Sequence, residues 1–418
     1  MFARIRAIPW HSARLRADEY LFGLGICAVP ISIAISEAFL SASLIIRLPA
    51  IFRRRGILLP RVFWYWLAWA AAEVAAWLFS PDLRAGLGEM RHILLIAGLF
   101  LLVPVVERTS DRVTIWGGVL AGATLSSVFL IGHFVWQLMF YRGPLAPVIY
   151  LRSGGLLHHW MVYATVEVLV FAALLEMWRS YPERRRWLLP VLVLNTAAIL
   201  LSLTRVLWVC CLVLLVLHFA WRRSRWIWAV PAIPCLLFFI APNAVRARLS
   251  DSLHPDYYSN AERIQMLRVG WAMIREKPLV GVGPGRVDRL YTQYLAPGDP
   301  VPAYHGHLHN NLVQLGAEFG VPATLAGLIF IGILFRDLWR RYQSATGRDE
   351  EFLCRTSLLG LTGFIAAGLF EYTYGHSLGL ILLAFTVLSP LVPAASSGAS
   401  TNGSRSSREK ITVGTALG

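Results

Sequence analysis

Charged residues are scarce in this 418-residue chain: Asp, Glu, Lys and Arg make up 15% of it, against roughly 25% in an average soluble domain. That shortage argues against an ordinary soluble enzyme and against a disordered chain, which needs high charge and few apolar residues. The five cysteines have neither metal-ligand nor disulfide-framework spacing, so neither kind of site is predicted. No nucleotide-binding motif and no Asp-x-Asp-like metal motif is present.

Apolar residues dominate instead, at 56% of the chain with a mean hydropathy of +0.57. Apolar runs of about 18 residues or more recur from end to end, which predicts a polytopic membrane protein without a cleavable signal peptide. Because lipid offers backbone groups no hydrogen-bond partner, every span is predicted to be helical and the fold class all-α. About twelve spans are predicted, the first two separating at Ser36-Glu37, over residues 20–35, 36–53, 60–80, 88–106, 112–140, 156–177, 186–203, 205–221, 225–241, 321–341, 353–372 and 376–394.

The net charge of +15 is explained by the positive-inside rule rather than by nucleic-acid binding. Arginine clusters, such as those at 53–55 and 222–225, fall in alternate connections. The rule places those connections and both termini in the cytoplasm, and a structured loop of about 80 residues on the other side is usually functional. The predicted layout is an N-terminus at 1–19, spans 1–9 in 20–241, a partly helical outer loop at 242–320, spans 10–12 in 321–394 and a disordered tail at 395–418.

Two arginines are predicted on the outer side of the membrane. Arg205 lies between two apolar runs that meet there, and a charge near hydrocarbon costs about 2.5 kcal/mol or more unless it snorkels to the interface, so it normally has a partner or a function. Arg263 projects from an amphipathic helix predicted over 261–276. The glycine-rich segment at 281–285 is more typical of a tight turn than of a phosphate cradle, because no strand precedes it.

Three alternating histidines, in HGHLHN, precede an amphipathic helix predicted over 309–319. His309 stands at its start, where the helix dipole favours a neutral imidazole. Three roles stay open for it: a general base, a structural cap, or a metal ligand that no HExxH pattern supports. As a zinc ligand His309 would act together with the alternating His305 and His307, which receive no other role. Three further polar residues share one stripe of this helix: Asn310, Gln314 and Glu318.

Near the C-terminus, GLFEYTYGHS places Glu371 and His376 around the last outer turn. A carboxylate at the membrane face needs a partner, for which Arg205 or Arg263 is expected, either as a structural ion pair or within a site. Four distant segments thus bring Arg205, Arg263, His309 and Glu371 to one side of the membrane. Two guanidiniums suit a diphosphate, and a neutral imidazole suits removal of a hydroxyl proton. Since no nucleotide motif is present, a lipid diphosphate-linked donor would carry the energy for reaction.

These motifs resemble those of the O-antigen ligase/polymerase superfamily of bacterial inner-membrane glycosyltransferases. The resemblance rests on SLTRVLW, ERIQMLRVGWAMIREKPLVGVGPG, HLHNNLVQLGAEFGVP and GLFEYTYGHS, and with the span pattern it covers nearly the whole chain. It implies a GT-C-like enzyme that passes a glycan from undecaprenyl diphosphate to an acceptor hydroxyl in the periplasm, without metal or cofactor. By motif position, Arg205 and Arg263 would hold the diphosphate and His309 would be the base. Only Glu371 carries over from the last motif, since His376 stands where the family has acidic residues.

The leading interpretation is an O-antigen ligase of lipopolysaccharide biosynthesis. Its partners would be an undecaprenyl diphosphate-linked O-antigen donor, a lipid A-core acceptor and membrane lipids. An O-antigen polymerase and a protein O-oligosaccharyltransferase share the motifs, because the shape of the loops selects the acceptor. A transporter of lipid-linked sugars would carry charged residues near the midplane of its spans, whereas here they concentrate at the outer face.

Overall fold

The structure is a computed structural model that describes residues 10–52, 59–140, 152–254 and 257–393. Every regular element in these ranges is helical, which confirms the predicted all-α class there. The arginines at 53–55 and the tail at 395–418 lie outside the described residues. The α-helices described are α1 (Trp10–Cys27), α2 (Ile33–Phe52), α3 (Val62–Leu78), α4 (Leu83–Leu102), α5 (Thr109–Phe140), α6 (Trp160–Ser180), α7 (Arg185–Leu201), α8 (Arg205–Trp221), α9 (Ala232–Ile240), α10 (Asn243–Leu253), α11 (Tyr258–Glu276), α12 (Val287–Leu290), α13 (Asn311–Gln343), α14 (Arg348–Gly368) and α15 (Ser377–Leu388).

Several of these helices have the length and composition of membrane spans. Among the described residues, five helical stretches are long and apolar enough to cross a bilayer: Ile33–Phe52, Leu83–Val105, Thr109–Phe140, Trp160–Ser180 and Asn311–Gln343. Three shorter helices are also apolar: Val62–Leu78, Arg205–Trp221 and Ser377–Leu388. The chain is therefore a multi-pass membrane protein. The count of twelve spans and the outer position of 242–320 stay predictions.

Among the segment boundaries that differ from the predicted ones, two have a local physical reason. The first two helices separate at 28–32 rather than at Ser36-Glu37. The Ser36 hydroxyl donates a hydrogen bond to the Gly25 carbonyl at 2.8 Å, so its polarity is satisfied by the neighbouring helix and the serine stays inside α2. The predicted span 225–241 is divided at Pro231 into a 3₁₀ turn and α9. Proline has no backbone N–H, so it cannot donate the hydrogen bond that would continue a helix.

Three helix pairs pack most extensively: α1 with α2, α13 with α3 and α14 with α6. One end of α14 is fixed by a buried ion cluster: Arg355 Nε donates to Glu176 Oε2 at 2.6 Å, and His218 Nδ1 lies 2.7 Å from Glu176 Oε1. The other end of α14 leads into the turn that carries Glu371. Anchoring the helix at its far end therefore helps to hold Glu371 in a defined position.

The glycine-rich segment after α11 is a tight turn against α13. Gly281, Gly283 and Gly285 have φ angles of 67°, 100° and 68°, in the left-handed region that glycine adopts without a Cβ penalty. The Gly283 amide donates to the Glu318 carbonyl at 3.1 Å, and the Gly285 amide donates to the Glu318 carboxylate at 2.9 Å. Because these amides are used within the protein, the segment is a turn and not a phosphate cradle.

Replacing Gly281 with alanine should lower the Tm of the purified protein in detergent. A Cβ at this position would lie 2.4 Å from the carbonyl carbon and oxygen of Glu318, so the turn or α13 must move, at a cost of about 2–5 kcal/mol. Gly298→Ala is the control, because Gly298 also has a positive φ, of 87°, but its Cβ would meet none of the described atoms within 4 Å. Equal Tm losses in the two variants would contradict this role of the turn.

Candidate active site

A cavity of about 820 Å³ lies among α4, α6, α11 and the segments that precede α13 and α15. The seven side chains predicted for the site do not all reach it, since Asn310 and Arg205 are not part of its wall. The five that line the cavity are Arg263, His309, Gln314, Glu318 and Glu371.

His309 and Glu371 form a hydrogen-bonded pair in this cavity. The Nδ1 atom of His309 lies 2.8 Å from Oε2 of Glu371, whose side chain is 3% exposed. Burial alone would raise the pKa of Glu371, but the hydrogen bond from His309 and the neighbouring histidine charges lower that pKa to about 2. The ionised carboxylate keeps the proton of a neutral imidazole on Nδ1, which leaves Nε2 as the nitrogen able to accept a proton.

The sequence predicted Arg205 or Arg263 as the partner of Glu371, and that prediction is wrong. The carboxylate contacts two histidines instead: His309 through Oε2, and His307, whose Nε2 lies 3.5 Å from Oε1. The pairing depends on how the segment before α13 folds over the turn between α14 and α15, which residue spacing does not reveal.

The side chain of Asn310 anchors the segment before α13. The Asn310 side chain caps α13 by accepting from the Val313 amide at 3.0 Å, and it donates to the Leu369 carbonyl at 2.9 Å. His309 therefore lies two residues before the first helical residue, Asn311. Its φ of 49° is uncommon for a non-glycine residue and is typical of backbone held in place at functional sites.

Burial keeps two further cavity histidines, His307 and His376, neutral at neutral pH. Burial lowers the pKa of His307 to about 4, although the charge of Glu371 opposes the shift. The Nδ1 atom of His307 accepts a long hydrogen bond, 3.4 Å, from the His309 amide. Burial also lowers the pKa of His376 to about 4, and its Nδ1 lies 3.0 Å from the hydroxyl of Thr165. His305 lies apart from Glu371.

Arg263, like Arg91 and Arg152 in the same cavity wall, forms no ion pair with the described residues. Within the described ranges, no carboxylate lies within ion-pair distance of its guanidinium, and no hydrogen bond to it is formed. Burial lowers the pKa of Arg263, while the more distant negative charge of Glu371 acts in the opposite direction. A half-buried guanidinium left without a carboxylate is available to bind an anionic ligand.

Arg205 lies behind the cavity wall rather than in it. Its guanidinium donates to the Ser259 hydroxyl at 3.3 Å and to the Asp251 carbonyl at 3.4 Å, and it lies over the Tyr257 ring at 5.4 Å. Ser259 does line the cavity. The two arginines predicted to hold one diphosphate thus occupy different layers, with Arg205 one side chain further back.

Gln314 and Glu318 hold the walls of the cavity in place. The side-chain oxygen of Gln314 accepts a hydrogen bond from the Leu308 amide at 2.7 Å, which positions the histidine segment. Glu318 accepts from the Gly285 amide with one oxygen, and its other oxygen, Oε2, is buried without a partner among the described residues. Two residues of the stripe predicted for this helix therefore hold the histidine segment and the glycine-rich turn at the cavity wall.

Sequence reasoning missed several cavity residues. Arg91, Glu89, Arg152, His159 and Trp160 also line it. The Arg152 guanidinium lies 5.4 Å from the centre of the Trp160 ring. For the two arginines, the available signal was a single basic residue outside the arginine clusters, which is weaker than a clustered motif.

In the part of the chain that the structure describes, one group of side chains could hold a metal ion: His307, His309 and Glu371. Each offers one ligand atom, and these three atoms all lie within 4.8 Å of one another. Two imidazoles and a carboxylate form a donor set that zinc accepts. The expectation of metal-independent chemistry stays a prediction.

One comparison with known families bears on this site. Residues 190–328 match a family model described as O-Antigen ligase. No curated protein matches the chain. The matched range includes Arg205, Arg263 and His309, whereas Glu371 lies beyond it.

Proposed function

The chain belongs to the O-antigen ligase/polymerase superfamily, and we propose that it is an O-antigen ligase of the bacterial inner membrane. In this proposal it transfers a glycan from undecaprenyl diphosphate to a sugar hydroxyl of lipid A-core at the periplasmic face. The observation that carries the proposal is the cavity itself, in which the His309–Glu371 pair shares one space with the unpaired Arg263.

The proposed reaction is a single displacement. The acceptor hydroxyl gives its proton to Nε2 of His309, and its oxygen forms a bond to the anomeric carbon of the donor. The bond from that carbon to the diphosphate oxygen breaks, and the undecaprenyl diphosphate anion leaves. Attack from the face opposite the leaving group inverts the anomeric carbon. Glu371 stabilises the imidazolium that forms, as a carboxylate does beside a catalytic histidine.

Arg263 takes the role of an electrostatic stabiliser for the leaving group. Negative charge grows on the diphosphate as the bond breaks, and a guanidinium already in place stabilises that charge. Arg205 supports this arrangement through its hydrogen bond to Ser259, which lies on α11, the helix that carries Arg263. Neither role requires a metal ion or a nucleotide.

The acceptor is tested by reconstituting the purified protein in liposomes with a lipid-linked glycan. Lipid A-core, a second lipid-linked repeat and a protein bearing a glycosylation sequon are offered separately, and products are identified by mass. We expect a new glycosidic bond on lipid A-core, and none with the His309→Asn variant. A product only on the second repeat would instead indicate a polymerase, and a product only on the protein an oligosaccharyltransferase. Donor movement across the bilayer without bond formation would indicate a transporter.

A further inference from the structure

The histidine segment contains a residue that the proposed reaction does not use. His307 lies beside the His309–Glu371 pair, and its ring centre is 4.2 Å from that of His309. Its Nε2 atom is 3.5 Å from Oε1 of Glu371, while Nδ1 of His309 is 2.8 Å from Oε2 of the same carboxylate. Two imidazoles from alternate positions of one segment thus converge on one carboxylate from another.

We propose that His307, His309 and Glu371 form a binding site for a divalent transition-metal ion of the zinc type, and that the bound ion inhibits the enzyme. The three ligand atoms lie within 4.8 Å of one another, so small side-chain rotations bring them around one ion. Two nitrogen donors and one carboxylate match zinc, which often keeps a fourth position for water. The single carboxylate disfavours calcium and magnesium, which need more oxygen ligands.

The surroundings suit a metal site in two respects. The Oε1 atom of Glu371 also accepts a hydrogen bond from the Tyr372 amide at 3.1 Å, and such contacts orient a ligating carboxylate. The three ligands line the cavity, which gives the ion an entry path and room for a water. A neutral His307 that binds the ion through Nε2 carries its proton on Nδ1. Ion binding would therefore break the hydrogen bond that Nδ1 accepts from the His309 amide, which is already long at 3.4 Å.

The expected inhibition depends on which nitrogen of His309 binds the ion, and it rests on the proposed function. Ligation through Nδ1 of His309 moves the proton of a neutral imidazole to Nε2. That is the nitrogen that must accept the proton of the acceptor hydroxyl. The ion also takes the carboxylate that would stabilise the imidazolium. An ion bound at this site therefore removes the base without blocking the whole cavity.

Binding is measured first, on the intact purified protein in detergent after treatment with a chelator. Calorimetric titration with zinc chloride should give one tight site in the unmutated protein and in His305→Asn, whose residue belongs to the same segment but not to the cluster. The zinc affinity of His307→Asn should be lower by more than about 100-fold. Cobalt should give the visible absorption of a site with histidine ligands in the unmutated protein, a readout that does not depend on any variant. Equal zinc affinity in His307→Asn, or no site in the unmutated protein, would overturn the proposal.

Inhibition is measured next, in the transfer assay. Zinc should abolish transfer by the unmutated protein, a chelator should restore it, and His307→Asn should resist zinc relative to its own metal-free rate. Loss of activity on adding the chelator would refute inhibition, because the ion would then be required. If no transfer occurs with any acceptor while zinc binds one site lost in His307→Asn, the proposed function fails and the metal site stands.

Discussion

Replacing His309 with asparagine should reduce the initial rate of glycan transfer by about 10²–10⁴-fold, which is the usual contribution of a general base. Asparagine tolerates the left-handed backbone that His309 adopts, with φ 49°, so the variant should fold. Its amide cannot accept the proton of the acceptor hydroxyl. The measurement is the initial rate at saturating donor and acceptor, together with the Tm of the purified variant.

A matched control separates the loss of the His309 imidazole from the effect of placing asparagine at a residue with positive φ. His158→Asn makes the same exchange at another histidine with positive φ, 60°, which is exposed and does not line the cavity. Its transfer rate should stay within a few-fold of that of the unmutated protein. If His309→Asn kept most of its activity while remaining folded, another group would have to be the base and the proposed mechanism would be wrong.

The sequence was sufficient to predict the helical class and five of the side chains that line the cavity, because both depend on local patterns. Apolar runs of span length predict helices in lipid whatever their neighbours. His309 was placed at a helix start because polar residues recur after it with helical spacing, and the structure places it two residues before α13, next to the capping residue Asn310. Arg263 was placed on α11 by the same kind of pattern, and it does line the cavity.

What the sequence could not predict depends on contacts between distant segments. Glu371 was expected to pair with an arginine because charge alone favours it. The actual partner is decided by the cap at Asn310 and its bond to Leu369, which draw the histidine segment over the end of α14. Arg205 was expected at the same anion as Arg263, but α8 begins where its side chain faces Ser259. Pattern analysis predicts the side of the membrane on which a side chain lies, whereas packing decides which other side chains it contacts.

Replacing Arg263 with glutamine should reduce transfer by about 10²–10³-fold, the usual loss when one preorganised group that stabilises transition-state charge is removed. The physical reason is that its guanidinium has no carboxylate partner among the described residues, so its charge is available to the diphosphate. Arg268→Gln is the matched control, because Arg268 lies on the same helix and is exposed, and it should leave the rate within a few-fold.

Comparing Arg205→Gln with Arg263→Gln shows whether both arginines bind the diphosphate or whether Arg205 acts only through Ser259. If Arg205 acts only through Ser259, Arg205→Gln should cost less than Arg263→Gln, and adding it to Arg263→Gln should change the rate little further, since the supported group is already gone. If both guanidiniums contact the diphosphate directly, the two single losses should be similar and their effects should multiply. Initial rates of the two single variants and the double variant distinguish these outcomes. Full activity in Arg263→Gln would mean that the leaving group binds another part of the cavity, for example at Arg152, and that Arg263 does not stabilise the reaction.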